Sequence, residues 1–129
     1  MSVLKPSATA YIDEATLALS TATALGDCAN IDMVKAMQLA VTVEATFNAS
    51  ATGALEVTYR PSYNGTDYDT AAWQGYTWSI AAPGSATPIR LTSYPLAPVA
   101  RGLKVIVSNT DSTYAVTDLK VYATIQTAG

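Results

Sequence analysis

The chain has 129 residues, of which 50% are hydrophobic, 13% are charged and none is histidine. This composition predicts one folded domain with a single core and excludes a disordered chain. The net charge is −3 and the seven Lys and Arg residues are scattered, so we expect no nucleic-acid partner. No apolar segment approaches the ~20 residues of a membrane span, and the first residues lack a signal-peptide core. We therefore expect no membrane partner, and synthesis in a cytoplasm.

Residues 1–10 show no hydrophobic periodicity, so the sequence predicts an extended N-terminal arm over 1–10 and a single domain over 11–129. Residues 14–23 alternate through Leu17 and Leu19, which predicts a strand. Residues 26–35 are interpreted as a connection. A short helix capped by Asn30 is the alternative there, but the alternation that starts at Met37 favours a strand.

The clearest pattern lies between residues 37 and 48, where apolar residues occupy every odd position. They are Met37, Leu39, Val41, Val43, Ala45 and Phe47. Polar residues fill most even positions, which is typical of an antiparallel strand with one solvated face. The alternation resumes over residues 54–61, after a polar segment that contains Gly53. This break predicts a hairpin between the two strands.

Later strands are predicted over residues 74–81, 88–93, 102–109 and 114–127, with Ile89 and Leu91 facing inward. Asn64-Gly65 predicts a tight turn, residues 109–112 a second hairpin, and the phase change at residues 117–118 a β-bulge. The predicted core consists of Leu39, Val41, Val43, Phe47, Leu55, Val57, Trp78, Leu103, Val105, Val107, Leu119 and Val121. Seven to eight strands of this kind predict an all-β fold, an antiparallel two-sheet, jelly-roll-like sandwich.

The absence of histidine removes the commonest general base and zinc ligand, so no catalytic residue, cofactor or metal is expected. The candidate pairs for catalysis by carboxylates alone are Asp67 with Asp69, and Glu44 with Glu56. Glu44 and Glu56 are expected on the polar faces of adjacent strands, as solvated charges. Asn64 and the two aspartates could ligate calcium, but turn formation is the favoured interpretation.

Aromatic residues concentrate between Tyr59 and Tyr94. Tyr63, Tyr68 and Trp73 lie in loop sequence, where they would cover the sandwich edge, contact another protein or stack on a sugar. The apolar residues of the arm are expected to reach a neighbouring subunit. The candidate partner contacts are Val3, Leu4, Tyr63, Tyr68 and Trp73.

Two segments carry a family resemblance: SYNGTDYDT at residues 62–70, after an alternating strand, and the C-terminal GLKVIVSNTDSTYAVTDLKVYATI. From Leu39 onward the chain resembles small β-sandwich structural proteins of tailed bacteriophages. The resemblance implies a capsid decoration or cement protein that binds the major capsid protein or another virion protein. It also implies assembly in the host cytoplasm and supplies no catalytic residues.

We expect such a protein to be a homo-oligomer, with a trimer as the working assumption. A tail or neck component is the alternative within the virion. A carbohydrate-binding module is the alternative of another class, because exposed aromatic residues on a β-sandwich also suit sugar rings.

Overall fold

A computed structural model describes residues 3–7 and 9–128. The described residues form ten strands in two antiparallel sheets around one core. The strands are β1 (Val3–Pro6), β2 (Ile12–Leu17), β3 (Thr21–Ala22), β4 (Ile31–Asp32), β5 (Ala36–Phe47), β6 (Ala54–Ser62), β7 (Trp78–Ala81), β8 (Ile89–Thr92), β9 (Gly102–Asn109) and β10 (Val116–Thr127). Two 3-10 helices span Leu25–Asp27 and Gln74–Tyr76, and this described part of the chain contains no helix able to cross a bilayer.

The ten strands form an eight-stranded jelly roll. β1 and β2 pair with successive halves of β10, and β3 and β4 pair with opposite halves of β9. Each of these two pairs therefore acts as one interrupted strand. We count β1 with β2 as the first strand, β3 with β4 as the second, and β5 to β10 as the third to the eighth. One sheet then has the strand order 1-8-3-6 and the other 2-7-4-5, which is the jelly-roll arrangement. The predicted all-β sandwich is thus confirmed.

Both predicted hairpins are wrong. β5 lies in the first sheet and β6 in the second, and β9 and β10 are divided in the same way. The connecting segments 48–53 and 110–115 cross from one sheet to the other. Alternation shows that a strand has one buried face, but it does not identify the neighbouring strand. Each connecting segment has six residues, which suffice to span the ~10 Å between the sheets.

The hairpin of the second sheet forms instead at the predicted Asn64-Gly65 turn. Ser62 and Tyr68 make a β-bridge across it. The returning chain then follows β6, with the Trp73 N–H donating to the Tyr59 carbonyl at 2.9 Å, and continues into β7. The predicted strand over residues 74–81 is shorter than expected, because its first part forms a 3-10 helix.

The core prediction is confirmed for eleven of its twelve residues, and Trp78 is half-buried. Three residues that the alternation placed inside are exposed: Leu19 by 44%, Met37 by 53% and Leu91 by 47%. Leu19 lies in the turn that transfers the chain between sheets, Met37 near the start of β5, and Leu91 on an outermost strand. The alternation of apolar and polar residues continues in the sequence at these three positions, although the opposite sheet does not cover them.

Local irregularities agree with the sequence in one place and differ in another. β10 contains the predicted bulge, since Thr117 pairs with Thr46 but Lys120 pairs with Glu44, and Asp118 has a φ of 51°.

The alternative helix after Asn30 is wrong. Residues 31–32 form β4, and the Asp32 carboxylate then accepts the Val34 N–H at 3.0 Å in a turn.

Residues 3–6 of the predicted arm lie extended as β1, beside β10 of the same chain. All four residues are exposed, so β1 is held by backbone pairing and not by core packing. Positions 1, 2 and 8 of the arm, and position 129 of the predicted domain, fall outside the described residues.

Truncating a side chain between the sheets should destabilise the fold. We expect Val57→Ala or Val105→Ala to lower the free energy of unfolding by about 1–3 kcal/mol, because each removes buried methyl groups and leaves a cavity. On the outer face of the same strands, Thr58→Ala and Lys104→Ala should lower the free energy of unfolding much less. Urea denaturation curves measure these changes, and equal losses at the inner and outer positions would contradict the register.

One carboxylate joins the two crossing segments. Asp111 Oδ2 accepts the N–H groups of Thr52 and Gly53 at 3.0 and 2.9 Å, and Oδ1 accepts those of Thr113 and Tyr114 at 2.8 Å each. These four hydrogen bonds lower the pKa of Asp111 to about 2. We call this side of the molecule the Asp111 end, and it comprises loops 18–20, 48–53, 82–88 and 110–115.

Candidate interaction surface

The opposite end of the sandwich, the Tyr63 end, is built from turn 63–67, loop 33–35, segment 94–101 and the paired ends of β1, β5 and β10. The turn is fixed locally. Asn64 Oδ1 accepts the N–H groups of Thr66 and Asp67 at 2.9 and 2.8 Å, and Gly65 adopts a φ of 83°. The turn interpretation of Asn64 is therefore confirmed, and the tight turn leaves the preceding Tyr63 80% exposed.

Tyr63 and Trp73, two of the candidate contact residues, line one surface concavity of about 230 Å³. Val99, which is 96% exposed, lines the same concavity. Trp73 is half-buried against the core, and its ring meets Tyr76 edge-on at a centroid distance of 5.2 Å. Tyr63 and Val99 thus offer free apolar surface beside a fixed aromatic ring.

Tyr68 lies apart from this concavity and is engaged within the chain. Its hydroxyl donates to Asn30 Oδ1 at 2.6 Å, and Lys104 Nζ lies 4.8 Å from the centre of its ring. The ring therefore makes a cation–π contact and ties the turn segment to the second sheet. These contacts give Tyr68 a structural role.

Val3 and Leu4 also lie at the Tyr63 end, because Val3 pairs with Thr127 and Leu4 with Gln126 at the end of β10. Leu4 is 68% exposed. It lines a shallow groove with Pro95 and the outer-face residues Gln38 and Gln126. The structure thus places three of the five candidate residues, Val3, Leu4 and Tyr63, at the Tyr63 end, and Trp73 lines the concavity beside Tyr63.

Exposed apolar side chains are distributed very unevenly between the two ends. Among the described residues, nine large hydrophobic side chains are exposed. Seven of them belong to the Tyr63 end: Val3, Leu4, Val34, Met37, Tyr63, Tyr94 and Val99. Leu19 alone belongs to the Asp111 end, whose loops otherwise carry mainly Ala, Ser, Thr and Gly. The sequence did not predict Val34, Tyr94 and Val99 as contact residues, because they are isolated in loops and belong to no periodic pattern.

The structure separates one candidate carboxylate pair and engages one member of the other in a turn. Glu44 and Glu56 lie on different sheets, so their expected position on adjacent strands is wrong; Glu44 forms an ion pair with Arg90. Asp67 accepts a hydrogen bond from Asn64 Nδ2 at 2.7 Å within the turn. Within residues 3–7 and 9–128, no group of three or more acidic, cysteine or histidine side chains is arranged to hold a metal.

A third concave feature runs between the sheets where β7 and β8 are the outermost strands. It is a cleft of about 470 Å³ between residues 75–79 and 92–96. Trp78 forms part of its wall, and its Nε1 donates to the Tyr59 hydroxyl at 2.7 Å. Burial raises the pKa of Tyr59 to about 12, so this hydroxyl stays protonated at neutral pH.

The fold is a jelly-roll β-sandwich, and solved structures of other proteins share it. The chain is similar to PRD1 vertex protein P5, with 12% identity, a TM-score of 0.53, and coverage of 99% of this chain and 95% of that one. It is also similar to a chain of infectious bursal disease virus strain Gx, with 11% identity, a TM-score of 0.53 and coverage of 99% and 32%. A third likeness is the PBSX exported protein XepA, with 13% identity, a TM-score of 0.52 and coverage of 98% and 38%.

The chain therefore spans nearly all of the PRD1 protein but about a third of the other two. At these identities the likeness concerns the fold. Comparison of the sequence with protein-family models and with curated proteins gives no match.

Proposed function

We propose that this chain is a non-enzymatic structural protein of a tailed-phage particle, a decoration protein that binds the outer surface of the capsid. The observation that carries the proposal is the concentration of exposed apolar side chains at the Tyr63 end. A monomer gains nothing from exposing Tyr63, Tyr94 and Val99 together, whereas a protein interface buries such residues at its centre. The jelly-roll fold shared with PRD1 vertex protein P5 supports the same class.

The proposed mechanism is mechanical. The Tyr63 end binds across the junctions of major capsid protein subunits, where its apolar side chains leave water. A protein that binds only the assembled shell stabilises that shell by mass action, so the subunits become harder to separate. The chain needs no catalytic group, metal or cofactor for this role, and its place is the virion, after assembly in the host cytoplasm.

Sedimentation with intact capsids of the virus that encodes the chain tests the proposal. Purified protein should co-sediment to a saturating level, with many copies spread over the shell. A few copies confined to one vertex would favour the alternative, a tail or neck component. Protein that stays in the supernatant at every concentration would contradict a virion role.

The oligomer that we propose, a homotrimer, would use β1 for contact between subunits. β1 buries no side chain in its own chain, and it presents Val3 and Leu4 at the Tyr63 end. Its backbone pairing with β10 could equally be made with β10 of a neighbour, an exchange that costs little because the same bonds form.

Deleting residues 1–6 should separate the role of β1 in assembly from its role in folding. We expect the melting temperature of the monomer to change by at most a few degrees, because no core side chain is lost. Oligomer formation, measured by analytical ultracentrifugation, should fall clearly, and capsid occupancy with it. The control is Leu4→Ser in the full chain, which keeps the backbone pairing. Unchanged assembly of the truncated chain would show that β1 is only an intrachain edge strand.

A further inference from the structure

The cleft between β7 and β8 has the lining of a ligand site. Three aromatic residues, Tyr76, Trp78 and Tyr94, lie along it. Hydroxyl groups of Ser79 and Ser93 lie among them, and no charged side chain belongs to the lining. The Ser93 hydroxyl already accepts the Val41 N–H at 3.0 Å, whereas Ser79 is exposed and its hydroxyl can pair with a polar ligand. A charged ligand would find no counter-charge in this lining.

Two of the three aromatic rings are held in place before any ligand binds. The hydrogen bond to Tyr59 orients Trp78, and the edge-on contact with Trp73 orients Tyr76. Tyr94 is 90% exposed at the mouth of the cleft, so its ring is free to cover a ligand. A fixed aromatic wall loses little conformational entropy on binding, which favours a small ligand.

We infer that this cleft binds a neutral oligosaccharide. A pyranose ring has apolar C–H faces that stack on aromatic rings and a rim of hydroxyl groups that pair with hydroxyl side chains. Both features match an uncharged, aromatic and hydroxyl-bearing lining. The proposed sugar contacts are therefore Tyr76, Trp78 and Tyr94, not Tyr63, Tyr68 and Trp73. Tyr94 also belongs to the Tyr63 end, so the whole cleft is accessible in the isolated chain.

Gly75 offers a clean way to block the cleft. It lines the cleft, its φ is not in the left-handed region, and an added Cβ would meet no atom within 4 Å. Gly75→Leu should therefore fold normally and place a side chain in the ligand space. Gly26 is a matched control, because it is also the middle residue of a three-residue 3-10 helix with no atom within 4 Å of an added Cβ.

The experiment titrates the isolated chain with cellohexaose and with chitohexaose, so its outcome does not depend on capsid binding. Isothermal titration calorimetry should show saturable binding of at least one of them. The variant Trp73→Phe leaves Trp78 as the only tryptophan, and its fluorescence should change on binding. Gly75→Leu should abolish binding, and Gly26→Leu should leave it unchanged. Tyr94→Ala should weaken binding about tenfold through loss of one stacked ring.

Two outcomes would overturn the inference. One is the absence of saturable binding of either hexaose at millimolar concentration. The other is hexaose binding that Gly75→Leu leaves intact, which would place the sugar elsewhere on the surface.

Discussion

Replacing Asp111 by asparagine should lower the melting temperature at pH 7 by several degrees. The carboxylate accepts four backbone N–H groups, two from each crossing segment. Asparagine keeps one acceptor oxygen and turns a donor NH₂ group towards the other two N–H groups. Those N–H groups are left without a partner, and the two segments that hold the sheets together at this end are released.

The same residue should control stability in acid. Folding lowers the pKa of Asp111 from 3.8 to about 2, so the charged form is favoured in the folded state. The resulting stabilisation is complete above about pH 4 and is lost as the pH falls from about 4 to about 2. Thermal unfolding curves between pH 7 and pH 2 should show this loss in the wild type and a smaller one in Asp111→Asn.

Two variants complete this test. Gly53→Ala should lower the free energy of unfolding by about 1–3 kcal/mol. The added Cβ would lie 2.6 Å from the Asp111 Cα atom and would force the two crossing segments apart. Asp118→Asn is the control, since Asp118 is an exposed aspartate with a φ of 51°, a conformation that asparagine tolerates. An equal loss of stability in Asp111→Asn and Asp118→Asn would show that only net charge matters.

The double variant Tyr63→Ser and Val99→Ser should strongly weaken capsid binding without unfolding the protein. Both side chains are almost fully exposed, so the melting temperature should not change. If they are buried against the shell, their loss should weaken binding on the order of 100-fold. Co-sedimentation with capsids over a range of protein concentrations measures the effect.

Leu19→Ser is the matched control for that experiment. Leu19 is an exposed apolar residue at the Asp111 end, and its replacement should leave capsid binding unchanged. A loss of binding in Leu19→Ser, with normal binding in the double variant, would place the contact at the Asp111 end and contradict the proposed orientation.

The fold class follows from the sequence because alternation is a local property that each strand carries by itself. β5, β6 and β9 begin and end within one residue of their predicted bounds, and the bulge at residues 117–118 appears as a change of phase. Strand partners could not be predicted, since β5 pairs with β8 and β10 over long sequence separations. Short strands such as β3 and β4 carry too few residues to show a period.

The candidate surface was predictable only where it depends on local sequence. Asn64-Gly65 fixes a tight turn, so the exposure of Tyr63 follows from the sequence. The contacts of Tyr68 with Asn30 and Lys104 depend on distant segments and gave no sequence signal. The gathering of Val34 and Val99 with Tyr63 requires the jelly-roll topology, which brings three separate loops to one end.

Val3 and Thr127 pair with each other at the Tyr63 end. In the proposed orientation, a peptide inserted next to either residue would lie against the capsid and would compete with attachment. Loop 82–88 projects from the Asp111 end, and Pro83, Gly84, Ala86 and Thr87 within it are exposed. Antigens or enzymes to be displayed on the particle should therefore be inserted within this loop, where they would point into solution.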